Sequence, residues 1–94
     1  MITKEEIIQV LKEYKDPEIG LDIWTLGLIY KVEIDYDYLK ITMTFTSPFC
    51  PYGQTMVDDL KRIFLEKGIK KIDIEISFDP VWEPSEELKE ILGF

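Results

Sequence analysis

The chain has no histidine, no alanine and no asparagine, one cysteine and one arginine. Without an imidazole there is no histidine base, proton shuttle or metal ligand. A lone cysteine cannot close an internal disulfide, so reducing, intracellular surroundings are the default. Basic residues are scarce against acidic ones, 11 Lys and Arg to 19 Asp and Glu, which leaves a formal charge of −8. A phosphate-backbone binder needs a basic patch, so nucleic acid is not an expected partner, and an anionic membrane surface is equally disfavoured. No apolar run approaches the roughly 18 residues of a membrane span. The opening Met-Ile-Thr-Lys-Glu-Glu carries neither the basic start nor the apolar core of a secretion signal. A cytoplasmic location is therefore expected. Many Lys and Glu with few amides fit both a hyperthermophile tendency and a low-GC genome.

What is present is enough for one folded domain, expected over 1–94. The chain is 46% hydrophobic with mixed charge, which separates it from disordered sequences. Thr3 and Glu6 form a capping-box pattern. Ile7, Val10, Leu11 and Tyr14 then share one face of a helix, with Ile8 beside it. Pro17 disfavours helical geometry at Asp16, so the helix should stop near Lys15. Asp16 to Asp22 has no period and reads as an ordered loop. Asp22 suits the cap of a single turn that Gly27 ends. Leu28 to Asp35 alternates as a strand with Tyr30, Val32 and Ile34 inward. Tyr36-Asp37 reads as a hairpin turn. A second strand follows, with Leu39, Ile41, Met43 and Phe45 on one side. A second helix runs to Lys67 with Gly68 beyond it, then a third strand from Ile72 to Phe78. Ser85 caps a short last helix that Gly93 ends.

The order helix, strand, strand, helix, strand, short helix predicts an α+β fold. It is a two-layer sandwich with a small mixed or antiparallel sheet. The crossover from the second to the third strand should be right-handed. Both a 2-1-3 strand order and a directly adjacent parallel pair satisfy the pattern.

The chemistry concentrates in three loops: Asp16 to Asp22, Thr46 to Gly53, and Asp79 to Ser85. If the second and third strands are parallel, the latter two share one end of the sheet, where α/β sheets commonly place ligands. Cys50 lies between Pro48 and Pro51. Pro51 suits the first turn of a helix, which would put Cys50 at or next to the N-cap, near unpaired N–H groups. A helix N-terminus favours thiolate by ~0.3–1 kcal/mol, while Asp16 or Glu18 nearby would act oppositely. The prolines and Gly53 suggest a loop shaped for access, against the commonest fate of a cysteine, which is inert burial. Thr46 and Ser47 offer hydroxyls to sulfur or an anion; ordinary loop capping is the plainer reading. Asp16 before Pro17 commonly starts a turn, and Glu18 reads equally as a solvated charge. Trp82, Trp24 and Tyr52 lean toward packing.

Asp16-Pro17-Glu18 followed by Leu26-Gly27-Leu28-Ile29-Tyr30 resembles the start of the SufT-like and PaaD-like family associated with iron–sulfur cluster assembly. Met43-Thr44-Phe45-Thr46-Ser47-Pro48-Phe49-Cys50-Pro51 is similar to its strand-then-cysteine motif. Asp79-Pro80-Val81-Trp82-Glu83-Pro84 and Leu92-Gly93 complete the likeness over nearly the whole chain. Ser47 stands where a second threonine is commoner, and Phe49 where glycine is usual. The zinc-binding tail of some PaaD-like members has no cysteines here, so the single-domain form is implied.

The resemblance implies a non-enzymatic accessory factor in cluster assembly or transfer to client apoproteins. Its functional cysteine falls on Cys50, its acidic pair on Asp16 and Glu18, and its hydroxyl pair on Thr46 and Ser47. Clusters usually need four ligands, mostly thiolates. One Cys50 therefore binds iron or a transient cluster only if a homodimer, a scaffold or carrier protein, or a small thiol completes the shell. Two other functions fit the residues. One is an acidic interaction adaptor without metal; the other is a thiol enzyme, which would lack the usual histidine base.

Overall fold

The computed structural model describes residues 2–17, 19–46, 52–79 and 82–92. Six elements follow in the expected order. They are α1 (Lys4–Glu13), β1 (Ile29–Asp35), β2 (Tyr38–Met43), α2 (Gly53–Glu66), β3 (Lys71–Ile76) and α3 (Glu86–Leu92). Among the described residues no helix is long and apolar enough to cross a membrane.

The helix ends are set by the residues that the sequence singled out. The Thr3 hydroxyl accepts the Glu6 N–H at 3.2 Å and donates to the Glu6 carboxylate at 3.3 Å, satisfying a donor that the first turn of α1 leaves open. Ile7 and Leu11 are fully buried, with Val10 nearly so. The Ser85 hydroxyl accepts the Leu88 N–H at 3.2 Å and starts α3. Gly68, at φ +102°, ends α2 in the left-handed region that a side chain disfavours. The expected terminator of α3, Gly93, lies outside the described residues.

The sheet is mixed, in the order β1-β2-β3. Of the two strand orders open to the sequence, the adjacent parallel pair is the one adopted. β1 runs antiparallel to β2, with Val32 opposite Ile41 and Ile34 opposite Leu39. β3 runs parallel to β2, with Ile72, Ile74 and Ile76 opposite Leu39, Ile41 and Met43. Hydrophobic neighbours thus line up on one face. Leu39, Ile41 and Met43, on the central strand, are completely buried against a core that includes Ile7, Leu11, Met56, Leu60 and Phe64. The other face is polar: the Tyr38 hydroxyl donates to Asp73 at 2.6 Å, and Lys40 and Lys31 pair with Glu75 and Glu33. β1 departs from even alternation through a register shift between Ile29 and Lys31, so Tyr30 sits at a bulge.

The β1–β2 turn holds Tyr36 at φ +58°, three-quarters exposed. An L-residue there costs about 1–2 kcal/mol, and the ring contributes little packing in return. Glycine removes that cost but adds about 0.5–1 kcal/mol of chain entropy to the unfolded state. Tyr36→Gly is therefore expected to stabilise the domain by about 0.5–1 kcal/mol, read as a higher urea midpoint at unchanged slope.

Candidate functional site

β2 and β3 are parallel neighbours, so the loops that follow them leave from the same end of the sheet. The first loop is carried to that end by a relay of backbone bonds. The Ile23 N–H donates to Tyr14 O, the Leu28 N–H to Ile23 O, and the Thr44 N–H to Leu28 O at 2.8 Å. The loop after α1 is thereby stitched onto the exit of β2.

Asp16 organises that loop. Its side chain is buried, and its Oδ1 accepts the Ile19 N–H at 3.1 Å. Its own N–H donates to Leu21 O and its carbonyl accepts from Gly20, both at 2.8 Å. The turn-starting reading of Asp16-Pro17 is the geometry observed. Asp22 then caps the single turn as its position predicts: its Oδ2 accepts the Thr25 N–H at 2.8 Å and its carbonyl the Leu26 N–H. Gly27 ends the turn at φ +78°.

The third loop closes over this turn. Trp82 donates its indole N–H to Leu26 O at 2.6 Å, so the half-buried ring packs, as expected. Trp24 and Tyr52 do not follow that expectation: they are 36% and 46% exposed.

The second and third loops meet through aromatic rings. Phe45 and Phe78 stand edge to face with centroids 6.2 Å apart. The Phe45 ring also lies on the backbone of Gly53, where an added Cβ would come 2.6 Å from Cε2 and 2.8 Å from Cζ. Gly53 is the buried first residue of α2. Its missing side chain serves close packing, a different cause from the loop access that the sequence suggests.

The N-cap of α2 is Tyr52, which makes no side-chain capping bond, and the first turn carries no acidic residue. The helix begins later than the proline pattern predicts. The expectation that Cys50 stands at or next to the cap falls on residues outside the described ones. Cys50, Ser47 and Glu18, with Pro48, Phe49 and Pro51, lie outside the described residues. Of the proposed site residues, Asp16 and Thr46 are described. Asp16 is buried in the first loop, and Thr46, half-buried, follows Phe45 at the exit of β2. Among the described residues no three His, Cys, Asp or Glu side chains gather to hold a metal.

One polar link escaped the sequence reading. The Tyr14 hydroxyl donates to Asp59 Oδ2 at 2.7 Å and joins the end of α1 to α2. Burial pushes the Tyr14 phenol well above its ordinary value, and the Asp59 bond and charge add to this, with the Asp16 carboxylate contributing last. The Tyr14 bond holds the Asp59 carboxyl below its ordinary value against partial desolvation, helped by Arg62. Helical spacing hinted at Tyr14 as a core residue but gave no sign of a partner 45 positions away.

Comparison with known proteins agrees with this arrangement. Residues 4–67 match the family model described as iron-sulfur cluster assembly protein. The chain belongs to that family. Over 97 residues it is 37% identical to an Fe-S protein maturation auxiliary factor of Porphyromonas gingivalis, covering 98% of this chain and 92% of the relative. The Fe-S protein maturation auxiliary factor SufT of Staphylococcus aureus is 39% identical over 69 residues, 71% of this chain and 78% of the relative. A crystal structure of a domain of unknown function from Bacillus anthracis superposes with a TM-score of 0.83 at 32% identity. That match covers 97% of this chain and 92% of that one. The SufT-like resemblance and the α+β fold are thus both borne out.

Two outcomes follow from this geometry. Gly53→Ala should destabilise the domain by about 1–3 kcal/mol, the usual range for overpacking. Adding Phe45→Leu should recover part of the loss in a denaturant titration. Tyr14→Phe should lower the thermal midpoint at neutral pH. For Asp59 the stabilisation is present above its ordinary value of 3.8 and is lost as pH falls through the lowered folded value. For Tyr14 it is present below 10.0 and is lost as pH rises toward the raised one. The deficit of the variant should therefore be flat between about pH 5 and 9 and shrink at both extremes, as midpoints across a pH series would show.

Proposed function

We propose that this protein is an accessory factor in iron–sulfur cluster assembly or in transfer of clusters to client apoproteins, and that the cluster or iron is its cargo. The carrying observation is the family match over residues 4–67, a span that includes the cysteine loop and the acidic loop. The convergence of three loops at one end of the sheet supports the same reading, since it offers a common place for Cys50, Asp16, Glu18, Thr46 and Ser47.

In this reading Cys50 supplies the thiolate. Thr46 and Ser47 offer hydroxyl hydrogen bonds to sulfur, and Glu18 an oxygen ligand for iron. Asp16 already holds the Ile19 N–H through one oxygen, so its first contribution is to shape the loop that carries Glu18. Four-ligand clusters take mostly thiolates; a second chain, a scaffold or carrier protein, or a small thiol supplies the others. An incomplete ligand set suits brief handover better than storage. The role is non-enzymatic: a cysteine nucleophile usually needs a base such as histidine, and the chain has none. The place of action is the cytoplasm.

A docking role beside cluster handling is favoured by one observation: Phe78 and Tyr52 are 41% and 46% exposed where the second and third loops meet α2. The acidic chain would then select basic surfaces and speed encounter at low salt.

Cys50→Ser should abolish support of cluster-dependent enzymes in cells lacking the native protein while leaving the unfolding midpoint unchanged. Full complementation by that variant would refute cluster handling through the thiol. Anaerobic reconstitution with iron and sulfide, followed by absorbance and mass, separates the two roles. Colour lost on substitution indicates ligation; a colourless protein that still captures clients indicates docking.

A further inference from the structure

The two ends of the sheet differ in charge. The three loops, residues 16–22, 46–53 and 79–85, contain five carboxylates, Asp16, Glu18, Asp22, Asp79 and Glu83, and no Lys or Arg. Asp16 and Asp22 accept backbone N–H groups of their own turns. Asp79 and Glu83 are exposed, and among the described residues neither has an ion-pair partner. On the polar face of the sheet, by contrast, Glu33 pairs with Lys31 and Glu75 with Lys40. The far end, where β1 turns into β2 and α2 into β3, is mixed. Asp35, Asp37 and Glu66 stand there with Lys67, Lys70 and Lys71, and Lys70 reaches Asp37 at 3.9 Å. A partner charge of either sign finds its opposite at the far end. At the loop end only a cation does.

The loop end also gathers apolar surface. Six large hydrophobic side chains are exposed among the described residues, and three of them, all aromatic, lie here: Trp24, Tyr52 and Phe78. Single exposed apolar side chains are ordinary; these three share one set of loop bases. Phe78 packs on Phe45, whose ring lies on Gly53 next to Tyr52. Trp24 belongs to the turn that leads to Leu28, and the Leu28 carbonyl accepts the N–H of Thr44, the neighbour of Phe45. Ile23 and Leu26, on either side of Trp24, are buried, and so is Gly53 after Tyr52. Aromatic side chains on fixed bases lose little freedom on binding, and such residues dominate the energy of protein contacts.

Along the third loop a carboxylate directly follows an aromatic residue twice, in Phe78-Asp79 and Trp82-Glu83. A guanidinium or ammonium beside such a pair gains an ion pair and contact with a ring. Exposed ion pairs contribute little alone, so apolar contact has to supply the rest.

We propose that the loop end is the docking face for a basic segment of a partner protein, in which Arg or Lys side chains alternate with apolar ones. The apolar side chains seat on Trp24, Tyr52 and Phe78, and the cations on Asp79 and Glu83. This partner chemistry rests on the docking role proposed above and requires neither iron nor sulfide.

The test is an NMR titration of the isotope-labelled full chain, free of iron and sulfide, with three synthetic peptides of about twelve residues, the length of a typical recognition segment. One alternates Arg and Leu, one Arg and Ser, one Glu and Leu. Salt is held at about 0.1 M, where charges more than about 10 Å apart are largely screened. The Arg and Leu peptide should shift the signals of Trp24, Tyr52, Phe78 and the third loop, and bind at least about ten-fold more tightly than either other peptide. Asp79→Lys with Glu83→Lys should weaken it at least about ten-fold. Glu5→Lys with Glu66→Lys makes the same change in net charge, at the start of α1 and the end of α2, and should weaken it less than about three-fold. All four replaced side chains are exposed, and circular dichroism confirms that each variant is folded. Shifts spread evenly over the chain, equal binding of the Arg and Ser peptide, or equal losses from the two double variants overturn the proposal. Tighter binding of the Glu and Leu peptide at the same residues overturns the basic partner and leaves the docking role standing. No shift with any peptide overturns both.

Discussion

The Phe45 ring resting on the bare backbone of Gly53 closes the base of the cysteine loop. Phe45 follows β2 and Gly53 begins α2, so this one contact sets the entry and the exit of residues 46–52 side by side. Packing at this base offsets part of the entropy of closing the loop, and Phe78, two residues past β3, extends the aromatic contact. A side chain at position 53 would push the ring away, open the base, and shift the start of α2 relative to the sheet. The parallel β2–β3 pairing requires a crossover in any case. The aromatic contact decides where that crossover begins.

The acidic loop is built on a different principle. Asp16 is buried, yet its backbone and side chain are engaged with Ile19, Gly20 and Leu21, which is how a polar group tolerates burial. Asp22 and Gly27 bracket the next turn, and Trp82 fastens it to the third loop. Each of the three loops is thus anchored at its base by a distinct interaction: a carboxylate, a ring on glycine, and an indole N–H. A loop held at its base restricts the space open to the residues it carries, which lowers the entropy lost when any of them engages a ligand.

The parts of this arrangement that were legible in the sequence are those encoded within a few residues. Thr3 with Glu6, Asp22 with Gly27, and Ser85 each declare a cap, because the side chain and the N–H it satisfies lie three positions apart. Alternation in Leu39, Ile41 and Met43 declared the buried face for the same reason. Strand order was not legible, since the apolar patterns of β1 and β3 fit beside β2 or beside each other equally well. A helix after Pro51 was legible because a proline marks where a helix is allowed to begin, and α2 runs from Gly53. Gly53 looked like a loop glycine; its cause is eight positions upstream in the chain and invisible to local reading. The Tyr14–Asp59 link, 45 positions apart, had no local signature at all. Of the site itself, what is described is the bases of the three loops, which lie at one end of the sheet. Cys50, Glu18 and Ser47 lie outside the described residues, so their mutual geometry rests on the sequence.

A single thiol per chain constrains how any cargo is held. With no histidine and no second cysteine, any further thiolate or imidazole ligand must arrive from outside, and the route by which it arrives determines the stoichiometry. Were two copies to face each other through their loops, the pair would form a symmetric two-thiol site that holds cargo until the dimer opens. A carrier or client that supplied the missing thiolates would give the opposite logic: cargo would pass by ligand exchange, one bond at a time, and its release would need no second copy of this chain.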